Sequence, residues 1–258
     1  MENSEYRIMF ELENSYWWFL GKQFLVKDML RSLGFGRVKG ERILDLGSGT
    51  GMMLKVLEDY GACFGTEISQ EAISFLRKRD SYQVVCTDIN DPLPFKDNSF
   101  SLITCFDVLE HLDYDRFLLQ EMARVCRPTG YIFITVPAFK IFWSHHDIAL
   151  HHRRRYTKTQ MLDRIKAMPY RVVRASYYNM LLSIPIMVFR KMKAALSTTN
   201  QFQSDFFLSV PEILNRILTN FFKLEIACLR YFNFPFGVSL VMVIQKKDEE
   251  AETRALRR

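Results

Sequence analysis

Four of the chain's five histidines lie between His145 and His152, and one acid lies among them. An imidazole titrates near neutral pH, so His146 or His152 could remove a proton from a substrate, with Asp147 orienting the ring. Two alternatives remain open: the cluster only fixes its loop, or two histidines and the aspartate ligate a metal. The fifth histidine, His111, could be a second base or could cap the next helix.

A run of glycines further upstream has the composition of a nucleotide-binding turn. In the segment Ile43–Gly51 a short apolar stretch ends in an acid, a glycine-rich turn follows, and a helix begins at Met52. Glycine lets the backbone approach a ligand closely, and the start of a helix offers unpaired N–H groups. Met52 stands where a P-loop has lysine, and Gly51 comes one residue early for the dinucleotide fingerprint. An ordinary strand-to-helix turn is the alternative.

Carboxylates follow the next two predicted strands. Glu67 lies 22 residues after Asp45, the length of one strand–helix–strand unit, where a carboxylate can accept both hydroxyls of a ribose. Asp88 follows the strand Gln83–Cys86 and can accept from the amine of adenine, while Ile89 packs on the ring. A solvated acid at a strand end is the alternative for Glu67.

Alternating strands and helices must position these residues. The pattern predicts an α/β fold, a doubly wound, mostly parallel sheet of seven strands with helices on both faces. Ligands of such sheets bind beyond the carboxyl ends of the strands, where the histidine loop begins. The predicted strands are Ile43–Asp45, Ala62–Glu67, Gln83–Cys86, Phe100–Phe106, Tyr131–Val136, Tyr170–Ser176 and Val238–Ile244. The predicted helices are about 15–33, 113–126 and 159–167, and 138–156 is predicted to be a long loop.

About 60 residues separate the last two predicted strands, which predicts an apolar helical insertion at 179–236. Its longest uncharged stretch, Ala175–Phe189, has 15 residues and contains a proline, so it is too short to span a bilayer. The insertion either packs on the domain as a helical cap, or forms a lid that receives a lipophilic substrate or rests on a membrane.

Length and composition suit one domain of 258 residues, with an N-terminal helical cap at 1–36 and a charged tail at 246–258. A net charge of +6 permits an anionic partner without naming one. Five dispersed cysteines without a Cys-x-x-Cys pair favour reduced thiols. Because residues 1–15 lack an apolar segment, we expect a cytoplasmic location, with peripheral membrane contact as an alternative. The oligomeric state stays open.

In their order along the chain, Asp45–Gly51, Glu67, Asp88–Ile89 and Phe100–His111 resemble class I S-adenosylmethionine (SAM) methyltransferases. The UbiG/UbiE-like small-molecule group is the most similar, over roughly residues 40–175. The resemblance implies a Rossmann-like fold, SAM as the cofactor and S-adenosyl-L-homocysteine as the product. It implies these cofactor-binding residues: Asp45, Gly47, Ser48, Gly49, Gly51, Glu67, Ile68, Asp88, Ile89, Phe106 and Trp18.

Two further segments resemble a methyltransferase subgroup with an N-terminal Trp-Trp-Phe and a Trp-Ser-x-His-Asp…His-x-Arg-Arg-Tyr signature. The chain departs from the pattern at His151, where a small residue is expected, and at Lys22, where arginine is expected. No metal is expected, because these methyltransferases usually lack one. The implied catalytic residues are His146, Asp147, His152 and His111. The implied substrate-binding residues are Trp17, Phe19, Lys22, Trp143, Arg154, Arg155 and Tyr156.

The expected activity is methyl transfer to a small acceptor. Phe106-Asp107-Val108-Leu109 stands where nucleobase and protein-amide N-methyltransferases carry Asn/Asp-Pro-Pro-Tyr/Phe. This difference favours an oxygen or carbon of a small, lipophilic acceptor, anionic or lipid-linked, and no nucleic acid. Arg154 and Arg155 could hold an anionic group of the acceptor, or could form a solvated basic face. The alternatives are a nicotinamide oxidoreductase, a nucleic-acid methyltransferase and a methyltransferase-like cofactor-binding module without catalysis.

Overall fold

The computed structural model describes residues 3–36, 40–80, 82–196 and 210–248, with a seven-stranded sheet at its centre. The strands are β1 (Arg42–Leu46), β2 (Ala62–Glu67), β3 (Gln83–Cys86), β4 (Phe100–Phe106), β5 (Cys126–Pro137), β6 (Tyr170–Tyr178) and β7 (Ser239–Lys246). The helices are α1 (Asn3–Leu12), α2 (Trp17–Ser32), α3 (Met52–Leu57), α4 (Gln70–Arg77), α5 (Asp115–Val125), α6 (His145–Ala149), α7 (Lys158–Ile165), α8 (Ser183–Leu196) and α9 (Glu212–Cys228). Short 3₁₀ turns follow β4 at Leu109–His111 and β5 at Lys140–Phe142.

The sheet has the strand order β3-β2-β1-β4-β5-β7-β6. Strands β1 to β5 run parallel, and β7 lies antiparallel between β5 and β6. This confirms the predicted doubly wound, mostly parallel sheet. The chain order reverses between β1 and β4, so the carboxyl ends of these two strands border the crevice where such sheets bind ligands.

Apolar side chains cover both faces of the sheet, because successive residues of a strand point to opposite sides. Ile43 of β1 belongs to a core cluster with Leu25 of α2, whereas the next residue, Leu44, belongs to a second cluster with Leu118 of α5. All four side chains are fully buried, and each such burial contributes roughly 1.5–3 kcal/mol. The two clusters fix β1, and with it the glycine-rich turn that follows.

The helix α1 lies within the predicted N-terminal helical cap at 1–36, but no separate helix was predicted before residue 15, because polar residues are interspersed among the apolar ones. Its apolar side chains nevertheless recur at helical spacing, and Phe10 packs on Phe75 of α4 with ring centroids 5.0 Å apart. At its end the buried Glu13 pairs with Arg79 and accepts a hydrogen bond from Thr50 at 2.7 Å. These contacts hold α1 against the glycine-rich turn.

Two other differences from the sequence prediction concern β5 and the segment after it. Strand β5 begins at Cys126, five residues before the predicted start, because Cys126 pairs with Phe100 across an irregularity in the β4–β5 ladder. The predicted loop at 138–156 contains the second 3₁₀ turn and α6. At the start of α6 the backbone N–H of Ser144 donates to Asp147 Oδ2 at 2.9 Å, which satisfies a donor at the helix terminus.

Helices α8 and α9 lie in the chain between β6 and β7, and residues 197–209 of the predicted insertion lie outside the described part. Helix α9 packs on α2, where Phe222 lies against Gly21. Both helices also leave large apolar side chains exposed, among them Ile184, Val188 and Leu224. In the described part of the chain, every helix is too short or too polar to cross a membrane. Residues 249–258 of the predicted tail are likewise outside the described part.

Candidate active site

A cavity of about 390 Å³ opens at the carboxyl ends of the parallel strands. Its walls come from α1, α2, the glycine-rich turn, the segments after β2 to β5, and α8. Many of the residues predicted from the sequence line it together, although they come from distant parts of the chain. These are Trp18, Phe19, Lys22, Gly47, Gly49, Glu67, Ile68, Asp88, Ile89, Phe106, His111, His146, His152 and Arg155.

The glycine-rich turn is tied to the carboxylate of Glu67. The N–H of Gly49 donates to Glu67 Oε2 at 2.8 Å, and the N–H groups of Ile68 and Ser69 donate to Oε1 at 2.9 and 2.8 Å. A Cβ added to Gly49 would meet no atom within 4 Å, so space for a ligand lies beside this backbone. At Gly47 an added Cβ would come 2.7 Å from Val108, so this glycine is needed for packing as well.

Three predicted cofactor residues support the turn from behind and do not line the cavity. Asp45 is buried and accepts from the hydroxyl of Thr104 at 2.6 Å. Burial raises the pKa of Asp45 to about 7, although this hydrogen bond lowers it. Ser48 donates to the carbonyl of Asp45 at 3.0 Å, and Gly51 begins α3 with φ +85°. These three residues shape the turn, and their contact with the cofactor stays a prediction.

The residues predicted to contact adenine lie beside α1, a helix that the sequence analysis did not place at the site. Asp88 and Ile89 line the cavity, and Asp88 Oδ1 accepts from the backbone N–H of Asn90 at 2.9 Å. Tyr6 and Met9 of α1 line the same cavity. Burial, followed by the charge of Glu67, raises the pKa of Tyr6 to about 12, so its phenol stays protonated. The helical spacing of apolar residues in α1 is the signal that could have revealed it.

On the other side of the cavity, Lys22 of α2 pairs with Asp107, which directly follows β4. Lys22 Nζ is 2.5 Å from Asp107 Oδ2, and Thr135 donates to Oδ1 at 2.9 Å. Burial opposes ionisation of Asp107, but the charge and hydrogen bond of Lys22 outweigh it and lower the pKa. Asp107 also has φ +54°, an uncommon conformation for a residue other than glycine. The sequence prediction missed Asp107 and included Lys22.

The histidine cluster surrounds the same end of the cavity. His152 Nδ1 lies 2.9 Å from Asp147 Oδ1, and Arg155 holds both carboxylate oxygens of Asp147 at 2.7 and 3.0 Å. Burial opposes ionisation of Asp147, yet its pKa is lowered because His152 and Arg155 donate to it. The His152 ring is 4.9 Å from that of His111 and 6.2 Å from that of His146. Asp147 is buried behind His152, so its position fits an orienting residue.

Glu110 is a second residue that the sequence prediction missed. It lies in the 3₁₀ turn after β4, is fully buried, and lines the cavity. Burial, followed by the charge of Asp107, raises the pKa of Glu110 well above its ordinary value. His152 Nε2 is 3.9 Å from its Oε1. The adjacent His111 was predicted, so the same stretch of sequence contained the signal.

Four predicted substrate-binding residues lie outside the cavity lining. Trp17 packs on Phe222, with ring centroids 6.1 Å apart. Trp143 borders a separate groove against α8. Arg154 Nη1 is 3.5 Å from Asp115, and Tyr156 is buried and donates to the same carboxylate at 2.8 Å. The contacts of Arg154 and Tyr156 fix the loop, and the contact of these four residues with an acceptor stays a prediction.

Comparison with known proteins supports the resemblance at the level of the domain. Residues 44–134 match the family model described as a methyltransferase domain. A demethylmenaquinone methyltransferase of Corynebacterium glutamicum is 31% identical over 139 residues, covering 48% of this chain and 60% of that protein. A ubiquinone biosynthesis O-methyltransferase of Neisseria meningitidis is 24% identical over 110 residues, covering 40% of this chain and 46% of that protein. The chain spans about half the length of these curated relatives.

The fold is also that of a solved SAM-dependent methyltransferase from Archaeoglobus fulgidus. The TM-score is 0.55 at 20% identity, over 87% of this chain and 94% of that one. Residues 44–134 therefore match a methyltransferase domain, and the likeness over the rest of the chain is one of fold. The Trp17–Phe19 and Trp143–Tyr156 segments lie outside the matched residues 44–134, so the subgroup signature remains a prediction.

Proposed function

We propose that this protein transfers a methyl group from SAM to an oxygen or carbon of a small, lipophilic acceptor. One observation carries the proposal: a single cavity joins the cofactor residues predicted at Gly47, Gly49, Glu67 and Asp88 to an acid–base cluster around His152. Its volume of about 390 Å³ falls within the range of about 300–1,000 Å³ typical of small-molecule sites. A cofactor-binding module without catalysis would not need the second group of residues.

The residues at the strand ends fit the cofactor. Open space beside Gly49 allows close approach, Glu67 offers carboxylate oxygens to a ribose, and Asp88 with Ile89 offers an acceptor and an apolar face to adenine. Lys22 and Asp107 present a cation and an anion near Phe106, as a zwitterionic amino-acid group requires. When bound, SAM supplies an electrophilic methyl group, so the chain must mainly align the acceptor and remove a proton.

Proton removal is assigned to His146 or His152, with His111 as a further candidate. Asp147 accepts from His152 Nδ1, so the Nε2 lone pair of His152 points away from Asp147 toward Glu110. Buried Arg155 keeps Asp147 ionised and fixed. Phe19 and Trp18 line the same cavity and are proposed to exclude water from the reacting centre.

The acceptor is proposed to be lipophilic with an anionic end. The lining includes Leu112, Leu150 and Val238, and the two curated relatives are named for a quinone or for quinone biosynthesis. Arg155 and Arg190 of α8 line the cavity and are proposed to attract the anionic end of the acceptor, whereas Arg154 lies outside the lining, near Asp115.

The insertion is proposed to act as a cap. Helix α9 supports α2, which brings Trp18 and Lys22 to the cavity, and α8 contributes Arg190. The exposed apolar side chains on both helices support peripheral contact with a membrane that supplies the acceptor. Lys191 beside Arg190 favours an anionic surface.

Calorimetry with SAM, S-adenosylhomocysteine and NAD tests the proposal. We expect both adenosyl ligands to bind and NAD not to bind. Replacing Glu67 or Asp88 with alanine should weaken SAM binding roughly 5- to 150-fold, because hydrogen bonds to a carboxylate are lost. Asp91→Ala is the matched control, since this exposed acid lies in the same turn outside the cavity lining. Tight NAD binding without a response to SAM would overturn the assignment.

A panel of hydroxylated quinone precursors and other phenolic lipids then tests methyl transfer by mass spectrometry. A gain of one methyl group on an oxygen or carbon is expected. SAM binding without transfer to any member would favour the non-catalytic module.

A further inference from the structure

Glu110 is a carboxyl group that the fold buries without a partner. Its side chain is fully buried, and neither Oε atom has a hydrogen-bond partner among the described residues. An ionised carboxylate in that position is strongly unfavourable unless a positive charge reaches it. The main chain nevertheless holds the residue in place, because the carbonyl of Glu110 accepts from the N–H of Arg153 at 2.8 Å. That bond also brings the preceding residue, His152, beside Glu110.

Two imidazoles flank this carboxyl group, and each has an outer hydrogen-bond partner. His152 faces Asp147 through Nδ1 at 2.9 Å, which leaves Nε2 on the side of Glu110, 3.9 Å from Oε1. The ring of His111, 4.9 Å from that of His152, is hydrogen-bonded to the backbone carbonyl of His151. Metal-binding histidines typically donate their second N–H to a carboxylate or a carbonyl in this way.

We propose that Glu110, His111 and His152 bind a divalent transition-metal ion such as Zn²⁺. One ligand atom from each of these residues lies within 4.8 Å of the others. Two imidazoles and one carboxylate are an ordinary donor set for Zn²⁺ and its neighbours in the first transition row. The family resemblance implied no metal, and the metal site considered as an alternative from the sequence was two histidines with Asp147, without Glu110.

Geometry and charge both suit a cation at this point. Bonds of about 2.0–2.2 Å place ligand atoms about 3.3–3.6 Å apart, so shifts of about 1 Å in the side chains close the site. The nearby cations are already paired, Lys22 with Asp107 and Arg155 with Asp147.

The consequence for the reaction rests on the proposed function. All three proposed ligands line the cavity, so an ion held by them would be within reach of an acceptor. Such an ion would lower the pKa of a hydroxyl bound to it, and His146, which lines the same cavity, would accept the proton. The two histidines would then have different roles, because His152 would bind the cation and His146 would accept the proton.

Metal binding is tested with the full chain after removal of ions by a chelator, without SAM or acceptor. Co²⁺ is the probe, because its visible absorption reports coordination, and Zn²⁺ competition gives the affinity. We expect one equivalent of Co²⁺ per chain with the intense bands of a four- or five-coordinate site. Glu110→Gln and His152→Asn should each weaken binding at least about 100-fold. His151→Asn, an adjacent histidine outside the site with φ +58° that asparagine tolerates, should bind within twofold of the unchanged chain.

Absence of Co²⁺ binding to the unchanged chain would overturn the site, as would unchanged affinity in both ligand variants. If a variant does not fold, X-ray absorption at the cobalt edge of the unchanged chain decides: two imidazoles support the site, and none or one overturns it. A chain that binds Co²⁺ but neither binds SAM nor methylates any acceptor refutes the proposed function and leaves the metal site standing.

Discussion

The contact between Gly21 of α2 and Phe222 of α9 gives a sharp test of how the insertion is joined to the domain. A Cβ added to Gly21 would lie 1.9 Å from Phe222 Cδ1 and 2.3 Å from Cε1, far inside contact distance. Phe222 is 1% exposed, so its ring has no open space into which to move. We therefore expect Gly21→Ala to force the two helices apart.

The magnitude follows from two opposing effects. Overpacking at so close a contact lowers the free energy of unfolding by about 3 kcal/mol, whereas replacing glycine inside a helix by alanine raises it by about 1 kcal/mol. Gly21→Ala should therefore lower the free energy of unfolding by about 2 kcal/mol. Phe222→Ala removes a buried ring and should cost about 3–5 kcal/mol. In the double variant the new methyl group enters the space left by the ring. In the chain that carries Phe222→Ala, Gly21→Ala should therefore raise the free energy of unfolding by up to about 1 kcal/mol, the opposite of its effect in the unchanged chain.

Urea unfolding of the four chains measures this cycle, with Lys27→Ala on the same helix as a control expected within about 0.5 kcal/mol. A coupling free energy of about 2–3 kcal/mol is expected. If the two substitutions add within about 0.5 kcal/mol, α9 does not pack on α2 as described. The same contact bears on the cap, because Phe222, Ile226 and Leu229 belong to the core cluster of α2. Deleting 179–236 should therefore unfold the chain, and point substitutions are the better test of a lid.

Two further predictions concern the cavity and its supports. His146→Ala should lower kcat by about 10²–10⁴ while affinities for SAM and Co²⁺ stay unchanged; normal turnover would mean that this imidazole removes no proton. Burial raises the pKa of Asp45 from 3.8 to about 7. Between about pH 4 and pH 7 the folded chain therefore keeps a proton that the unfolded chain loses, so this carboxyl lowers the free energy of unfolding as the pH rises through that window. Asp45→Asn removes this effect. We therefore expect the difference in free energy of unfolding, the unchanged chain minus Asp45→Asn, to fall by at most about 4 kcal/mol between about pH 4 and pH 7 and to stay constant above pH 7. A difference that is constant with pH, measured by urea unfolding, would contradict the burial argument.

The strands, and the residues at their carboxyl ends that are proposed to bind the cofactor, could be predicted from the sequence because their signals are local. The bounds of β2, β3 and β4 agree with the prediction, since apolar runs between turn residues determine a buried strand. The sequence could place Glu67 and Asp88 at the cavity because residues at the carboxyl ends of parallel strands lie at the ligand-binding edge of the sheet. The same alternation predicted a mostly parallel sheet of seven strands, and the structure shows their order.

Tertiary structure decided which side chains of the histidine loop face the cavity. Arg154 and Arg155 are adjacent and equally basic, yet Asp115 and Asp147 draw them to different buried partners. Such pairings join residues that are distant in the chain or depend on how a loop folds back, and residue type alone does not encode them. Glu110 shows the same limit: its sequence neighbours suggest a helix cap, and only packing beside His152 leaves its carboxyl buried and unpartnered. Chemistry at this site therefore depends on desolvation, which is a property of the packed chain and not of any single residue.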